Sequence, residues 1–467
     1  MKRMPPTGPT GSVTLIAFVL LWLVAPAQAR PSHKLPSRKT CTGGTLWAPL
    51  DGESKARGFA NLNPQTFTMS TGEALAITRS PSVNSSAGDY TFTAGAPLFA
   101  SPVDTKTSQT QSVPPDSPRW QLEGQAKPTE YQGRKCLYLD GGAAILKDLE
   151  MRDGVIDVDV ATPANRGFFG IDFRLADEGA NGERVYLRQH KSGAPDAMQY
   201  TPVLNTGANW QIYNGPGFTA AVDIPRDAWF HMRLEVAGAQ AKWYVKDMDK
   251  PALVMNDLKS GVQKGLIALY VLTGATYYTN FEFRETPAAP WERHNPPMPP
   301  DTLIKWSLSP SYDALARNLE RPLSASERDS IKWQEVEAEA PGFVVVYRYR
   351  EAPHLRVTFA NDFAKRLEPQ PGAKVVYAKT TIVSDRDQVK KLYIGYSDDV
   401  SVFLNGRILY RGRSAQNFRD PAFLGIVNPE NDAVYVQLRK GSNELVLAVS
   451  ELGGGWGFIC RLVDPES

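Results

Sequence analysis

The sequence predicts an all-β protein: two β-sandwich (jelly-roll) domains in tandem, after a signal peptide and a low-complexity arm. Three observations carry this. Runs with an apolar residue at every second position recur from about Arg119 to Asp464, whereas apolar residues at helical spacing are scarce. A chain of 467 residues exceeds what one ordinary core holds. A proline-rich stretch divides the alternating runs into two sets.

In chain order, residues 1–29 read as a secretory signal peptide. Lys2 and Arg3 supply positive charge, "VTLIAFVLLWLVA" is the apolar run, and Ala27-Gln28-Ala29 offers small residues for cleavage. The run Val13 to Ala25 is shorter than the roughly 20 residues a membrane-spanning helix needs. The expectation is a secreted or periplasmic protein with no transmembrane segment after cleavage. Residues 30–118 are rich in Ser, Thr, Gly and Pro and end in "SPVDTKTSQTQSVPPDSP", too poor in apolar side chains for a core, so they read as an arm or linker. Within it "EALAIT" and "DYTFTAG" could each add a strand.

Residues 119–285 hold about eight alternating runs with turn signals between them. In "GVIDVDVA" Ile156, Val158 and Val160 would face a core while Asp157 and Asp159 face outward. Residues 286–300, "TPAAPWERHNPPMPP", carry prolines that exclude sheet pairing and read as a linker between two separately patterned cores. Residues 301–464 repeat the alternation, with Asn405-Gly406 between "VSVFL" and "RILYRG" as the strongest hairpin signal. Ser324 and Glu327 stand at the spacing of a capping box for one short helix.

Lys and Arg total 52 against 50 Asp and Glu, a net charge of +2, so no field for a polyanion is implied and nucleic acid is a poor partner. The three cysteines, Cys41, Cys136 and Cys460, are too few for a disulfide framework. Cys136 and Cys460 lie in strand-like runs and read as small buried apolar residues.

The runs "GVIDVDVATPANRGFFGIDFRLAD", "ERVYLRQH", "WFHMRLEV", "KWYVKD" and "GLIALYVLTGATYYTNFEFRE" resemble the concanavalin A-like (lectin/glucanase) and laminin-G-like jelly rolls, including the domain of 3-keto-glycoside hydrolases. The resemblance implies that "GFFGIDFR" and "RVYLRQH" line a concave sheet that meets carbohydrate, placing Arg174, Arg188 and His190 near a ligand. "LYIGYSDDVSVFLNGRILYRG" with "LRKGSNELVLAVSELGGGWGFICRL" resembles the galactose-binding-like jelly rolls appended to glycoside hydrolases. That likeness implies scaffold roles for Asn405 and Asn443.

Sugar recognition needs aromatic faces for C–H surfaces and planar polar groups for hydroxyls. "YLRQHKSGAPDAMQYTPVLNTGANWQIYNGPGF" concentrates both. Tyr186, Arg188 and His190 fall on one side of a period-two strand. Gln199, Tyr200, Asn205, Asn209, Trp210, Gln211, Tyr213 and Asn214 follow among turn residues. The same rings would also serve to pin a long loop onto a sandwich edge. No histidine pair stands at metal-ligand spacing, so no metal and no cofactor is expected.

The paired carboxylates of a retaining glucanase are missing from any one strand motif, Asp157 and Asp159 being the nearest imitation. Three functional classes stay open: a carbohydrate-binding protein using the first sandwich, a hydrolase or lyase of the 3-keto-glycoside type with Asp196, His190 and Arg188 as catalytic candidates, and a surface scaffold for protein partners. The sequence does not set an oligomeric state.

Overall fold

A computed structural model describes residues 75–79, 90–94, 109–353 and 371–465. The chain divides into two compact units, Met1–Leu98 and Phe99–Ser467. In the first, Leu75–Arg79 and Tyr90–Ala94 form an antiparallel pair, the two strands expected from "EALAIT" and "DYTFTAG". The expected signal peptide, residues 1–29, and Cys41 lie outside the described residues.

The second unit is mainly β, built from two pairs of facing sheets. In the first sandwich one eight-stranded sheet runs in the order Gly207–Ala208, Met198–Leu204, Asn181–Arg188, Phe168–Ala176, Gly265–Thr273, Gly142–Met151, Trp120–Gly124, with Thr219–Ala220 attached to Met198–Leu204. The opposing eight-stranded sheet runs Leu253–Met255, Gln240–Val245, Phe230–Ala237, Gly154–Ala161, Thr276–Glu285, Arg134–Leu139, Lys127–Tyr131, and Gln111–Val113 also pairs with Thr276–Glu285. The end of the expected low-complexity arm thus enters the sandwich. Strand neighbours distant in sequence, such as Phe168–Ala176 beside Gly265–Thr273, give the crossovers of a jelly roll.

The alternation does what period two requires. Ile156, Val158 and Val160 join Phe169, Ile171, Val185, Leu187, Leu234 and Trp243 in one buried cluster between the sheets. Arg174 is part of this interior. It has no exposed surface, and its guanidinium donates to Asp153 Oδ1 at 2.8 Å and to the carbonyls of Arg152 at 2.7 Å and Gly238 at 2.8 Å.

In the second sandwich a seven-stranded sheet orders Gln334–Glu337, Lys305–Leu308, Lys374–Ser384, Gly441–Glu451, Asp399–Leu404 and Arg407–Arg413, with Tyr312–Asp313 on Lys374–Ser384. A four-stranded sheet, Val344–Val345, Gly457–Val463, Gln388–Ser397 and Asp432–Leu438, covers it. Asn405 and Gly406 have φ of 50° and 76°, the positive values of a type I′ hairpin. Asn405 donates to Asn443 Oδ1 at 2.9 Å, which holds both asparagines in the scaffold. Ser324 and Glu327 form the expected capping box on helix Ala325–Ser330. Cys136 and Cys460 are buried free thiols.

The two sandwiches share more than a proline linker. Leu204, Ile212 and Tyr213 of the first are buried in the same hydrophobic cluster as Trp306, Tyr347, Trp456 and Phe458 of the second. Gln211 is wholly satisfied by the second sandwich: its N–H donates to Gly454 O at 2.9 Å, its carbonyl accepts from Val427 N at 2.8 Å, its Nε2 donates to Leu424 O at 3.0 Å, and its Oε1 accepts from Ser397 Oγ at 2.8 Å. Gly454 makes this fit: its φ is 109°, and a Cβ there would lie 2.5 Å from Gln211 Oε1. Glu339 accepts from the Tyr213 hydroxyl and from Arg348 Nε at 2.6 Å.

Candidate functional site

Residues expected to bind ligand divide into two groups. Tyr186, Arg188, His190 and Trp210 gather on the outward side of the sheet that contains Asn181–Arg188, and Gln199 lies on the same side but is wholly buried, its Nε2 donating to the carbonyls of Tyr200 at 2.7 Å and Tyr213 at 2.8 Å. Arg174, Tyr200, Asn205, Gln211 and Tyr213 do not, and the expectation for them is corrected. Arg174 clamps the interior. Tyr200 points into the core, donating to Glu183 Oε2 at 2.7 Å and accepting from Lys259 N at 2.5 Å. Asn205 donates to Tyr347 O at 2.7 Å, and Gln211 and Tyr213 fill the seam between sandwiches. The amides and rings of that loop are consumed by a second protein surface of matching chemistry.

The outward site is built from rows across the sheet. Antiparallel register sets Gln199 opposite Tyr186, Tyr186 opposite Gly170, and Gly170 opposite Tyr270. A Cβ at Gly170 would strike the backbone of Val185 and Tyr186, so glycine lets the central strands close up. The next row sets Thr201, Arg184, Asp172 and Ala268 side by side. Arg184 forks onto Asp172, Nε to Oδ1 and Nη2 to Oδ2 both at 2.7 Å, with its guanidinium carbon 3.6 Å from the Tyr270 ring centroid. Burial opposes the Arg184 charge, but Asp172 outweighs it and holds the guanidinium protonated.

Arg188 organises the third row. Its Nη2 donates to Tyr186 Oη at 2.8 Å and to Gln199 Oε1 at 3.1 Å, and its Nη1 donates to Asp196 O at 2.7 Å. The guanidinium carbon lies 5.5 Å from the Trp210 ring centroid and 4.9 Å from that of Tyr186. Only 5 % of Arg188 is exposed, so it positions these groups and offers little surface of its own. Burial raises the Tyr186 phenol above its ordinary value, which keeps it neutral while its oxygen accepts from Arg188.

The strand ends at Arg188, and His190 sits in the short 3₁₀ turn Gln189–Lys191 rather than on the strand. Its exposed ring packs at 5.0 Å against half-buried Phe168, over which Arg166 also lies at 5.5 Å. Burial, then the cations Arg166, Lys191 and Arg188, lower the His190 pKa and leave the imidazole neutral at neutral pH. Phe168, Asp172, Arg184 and Tyr270 were not singled out from sequence; alternation in "GFFGIDFR" and "GLIALYVL" puts Phe168, Asp172 and Tyr270 outward, but only the fold shows which strands are neighbours.

As a catalytic group Asp196 is engaged: its Oδ2 is 2.5 Å from Lys191 Nζ and 3.9 Å from Arg188. Asp157 and Asp159 lie on the outward side of the opposite sheet and close on His231, which touches Asp159 Oδ1 at 2.7 Å and Asp157 Oδ1 at 2.9 Å. These carboxylates raise the His231 pKa to about 9, so the three form a charged cluster rather than the solvated face expected of the two aspartates. Among the described residues no cluster of His, Cys, Asp and Glu could hold a metal ion.

Neither a family model nor a curated protein matches the sequence. Among solved structures the chain is similar to the carbohydrate-binding module CBM66 from Bacillus subtilis, at 18% identity over 35% of this chain and 94% of that one, with a TM-score of 0.29. It is similar to a Bacillus subtilis protein of unknown function with a galectin-like fold, at 15% identity over 38% of this chain and 94% of that one, TM-score 0.30. The Bacillus licheniformis β-glucanase matches at 11% identity over 39% of this chain and 100% of that one, TM-score 0.28. Each likeness is to part of the chain.

Proposed function

We propose that this is an exported glycan-binding protein whose ligand face is the outward side of the first sandwich around Arg188. One observation carries the reading: half-buried Tyr270 and Trp210 lie beside the clamped guanidiniums of Arg184 and Arg188, and half-buried Phe168 packs against His190, with Arg166 and the neutral imidazole of His190 exposed at the edge. Rings fixed in this way present C–H-complementary surface at low entropic cost, and the edge supplies donors and an acceptor for hydroxyls. Export is supported by the charged, apolar and small-residue succession of residues 1–29. No helix among the described residues is long and apolar enough to cross a membrane.

A hydrolase or lyase has less support, because Asp196 is ion-paired with Lys191 and Asp172 is forked onto Arg184, so both carboxylates are engaged by cations. A protein-binding scaffold would favour a flat apolar patch; Leu272 is exposed on the strand that carries Tyr270, but the exposed groups around Phe168 are Arg166 and His190.

The test is a glycan array with the intact chain, followed by calorimetry of a hit against Phe168→Ala and Trp210→Ala. Each substitution is expected to weaken binding by about 1 to 3 kcal/mol while the protein keeps its thermal transition. Unchanged binding in both variants would place the site elsewhere.

A further inference from the structure

The seam between the two sandwiches encloses a pair of carboxylates that no cation neutralises. Glu451 continues the inward positions Leu445, Leu447 and Val449 of its strand, so period two turns a carboxylate toward the dry side. Asp399 stands opposite Ser450 in the neighbouring strand, which brings Asp398 beside Glu451. Neither Asp398 nor Glu451 has exposed surface. The nearby guanidinium of Arg413 forks onto Asp399 instead, and Lys374, opposite Glu451 in the register, is not within ion-pair distance of it.

Hydrogen-bond donors are shared unequally by the pair. Asp398 Oδ2 accepts from the amides of Leu452 at 2.8 Å and Gly453 at 2.9 Å, which favour a charged carboxylate. Glu451 Oε1 accepts from Tyr347 Oη at 3.1 Å, and its Oε2 is buried with no partner. Burial, then the adjacent carboxylate, Asp399 for the one and Asp398 for the other, raises both above the usual carboxylate range. Neighbouring like charges in a dry site do not ionise together, and the donors assign the charge to Asp398 and the proton to Glu451.

Across the seam the first sandwich supplies an acceptor. Asn209, on the loop that also carries Gln211 and Tyr213, has no exposed surface. Its Nδ2 donates to Gly207 O at 2.9 Å, which fixes the orientation of the amide, and its Oδ1 is buried without a donor. The two orphaned oxygens share one neighbourhood. A Cβ on Gly207 would lie 2.5 Å from Cε1 of Tyr347, the ring whose hydroxyl meets Glu451. A Cβ on Gly455, whose amide lies beside the Glu451 carboxylate, would lie 3.4 Å from Asn209 Cα.

We propose that Glu451 keeps a proton in the folded protein and donates it to Asn209 Oδ1, latching the two sandwiches through a hydrogen bond that alkaline pH removes. One proton satisfies both oxygens, whereas an ionised Glu451 leaves two buried acceptors without a donor. The unfolded chain releases this proton near pH 4.5 while the folded protein retains it. The stability it contributes is therefore complete below that pH and is lost progressively as pH rises.

Glu451→Gln mimics the protonated acid and has no proton to release. Urea unfolding of the intact chain between about pH 5 and about pH 8 compares it with the wild type, His231 titrating equally in both. The ratio of the variant's folding constant to that of the wild type is expected to grow about tenfold per pH unit while the proton is retained, and at least tenfold over the range. Asn209→Ala should lower the folding constant at least about fivefold at about pH 5, in the wild type and in Glu451→Gln alike, because the glutamine amide also donates. A ratio constant with pH, as an ionised Glu451 bridged by water would give, a Glu451→Gln chain that does not fold at about pH 5, or an Asn209→Ala substitution without cost in either background would each overturn the proposal.

Discussion

Truncating Ile212 to alanine tests whether the seam is structural glue between the sandwiches. Ile212 is 3% exposed and belongs to the hydrophobic cluster of the second sandwich although it is carried by a loop of the first. Two glycines make room for it: a Cβ on Gly457 would lie 2.7 Å from Ile212 Cδ1, and one on Gly455 3.2 Å from its Cγ1. The substitution removes three side-chain carbons, worth about 0.8 kcal/mol each in transfer, or about 2.4 kcal/mol. Backbone at the two glycines cannot collapse into the space, so a cavity contribution brings the expected loss to about 3 to 4 kcal/mol. Urea unfolding followed by tryptophan fluorescence and circular dichroism measures it. Trp243 reports the first core, and Trp306 and Trp456 report the second. The expected result is a lower midpoint shared by both probes. A change below about 0.5 kcal/mol, or a wild-type chain whose halves unfold in separate transitions, would refute the reasoning.

The remaining expectations concern buried charge, titration and thiols. Arg174→Leu should cost about 3 to 5 kcal/mol in chemical denaturation, because it leaves Asp153 buried without its cation, yet should not alter glycan affinity. Gly454→Val should destabilise the seam by forcing a side chain against Gln211 at a positive φ, seen as faster protease cleavage within Thr286 to Pro300. His231 has its pKa raised from 6.5 to about 9 by hydrogen bonds to Asp157 and Asp159, so its contribution to stability is complete below pH 6.5 and is lost as pH rises through 9. The Tm gap between wild type and His231→Gln should therefore be widest near pH 6 and shrink by about pH 10; a gap constant with pH would contradict the charged cluster. Burial pushes the Cys136 thiol up to about 11 and that of Cys460 higher still, so mass mapping after thiol labelling at pH 8 should find neither modified until denaturant is added.

Much of the fold was legible because period two in sequence is a local consequence of which side of a strand is dry. Ile156, Val158 and Val160 announced their core, and Asn405-Gly406 its hairpin, with no tertiary information. The site was legible where strand alternation alone decides orientation, as for Tyr186 and Arg188. It was illegible where the partner comes from a distant strand: Tyr270 reaches Arg184 only because Gly265–Thr273 pairs with Phe168–Ala176. The aspartates at 157 and 159 read as solvated because His231 comes from a neighbouring strand far along the chain. The loop carrying Asn205, Gln211 and Tyr213 misled for a chemical reason. Amides and rings that suit a sugar suit an interior seam equally well, and only the second sandwich shows which they meet.

The position of a bound neutral oligosaccharide, determined crystallographically with the strongest neutral hit from the array, tests the glycan face most directly. A sugar ring is expected within about 4 Å of Phe168 or Trp210, with hydroxyls in hydrogen-bond reach of His190 or Arg166. Sugar bound on the second sandwich or on the opposite sheet, with the Arg188 face bare, would contradict the assignment.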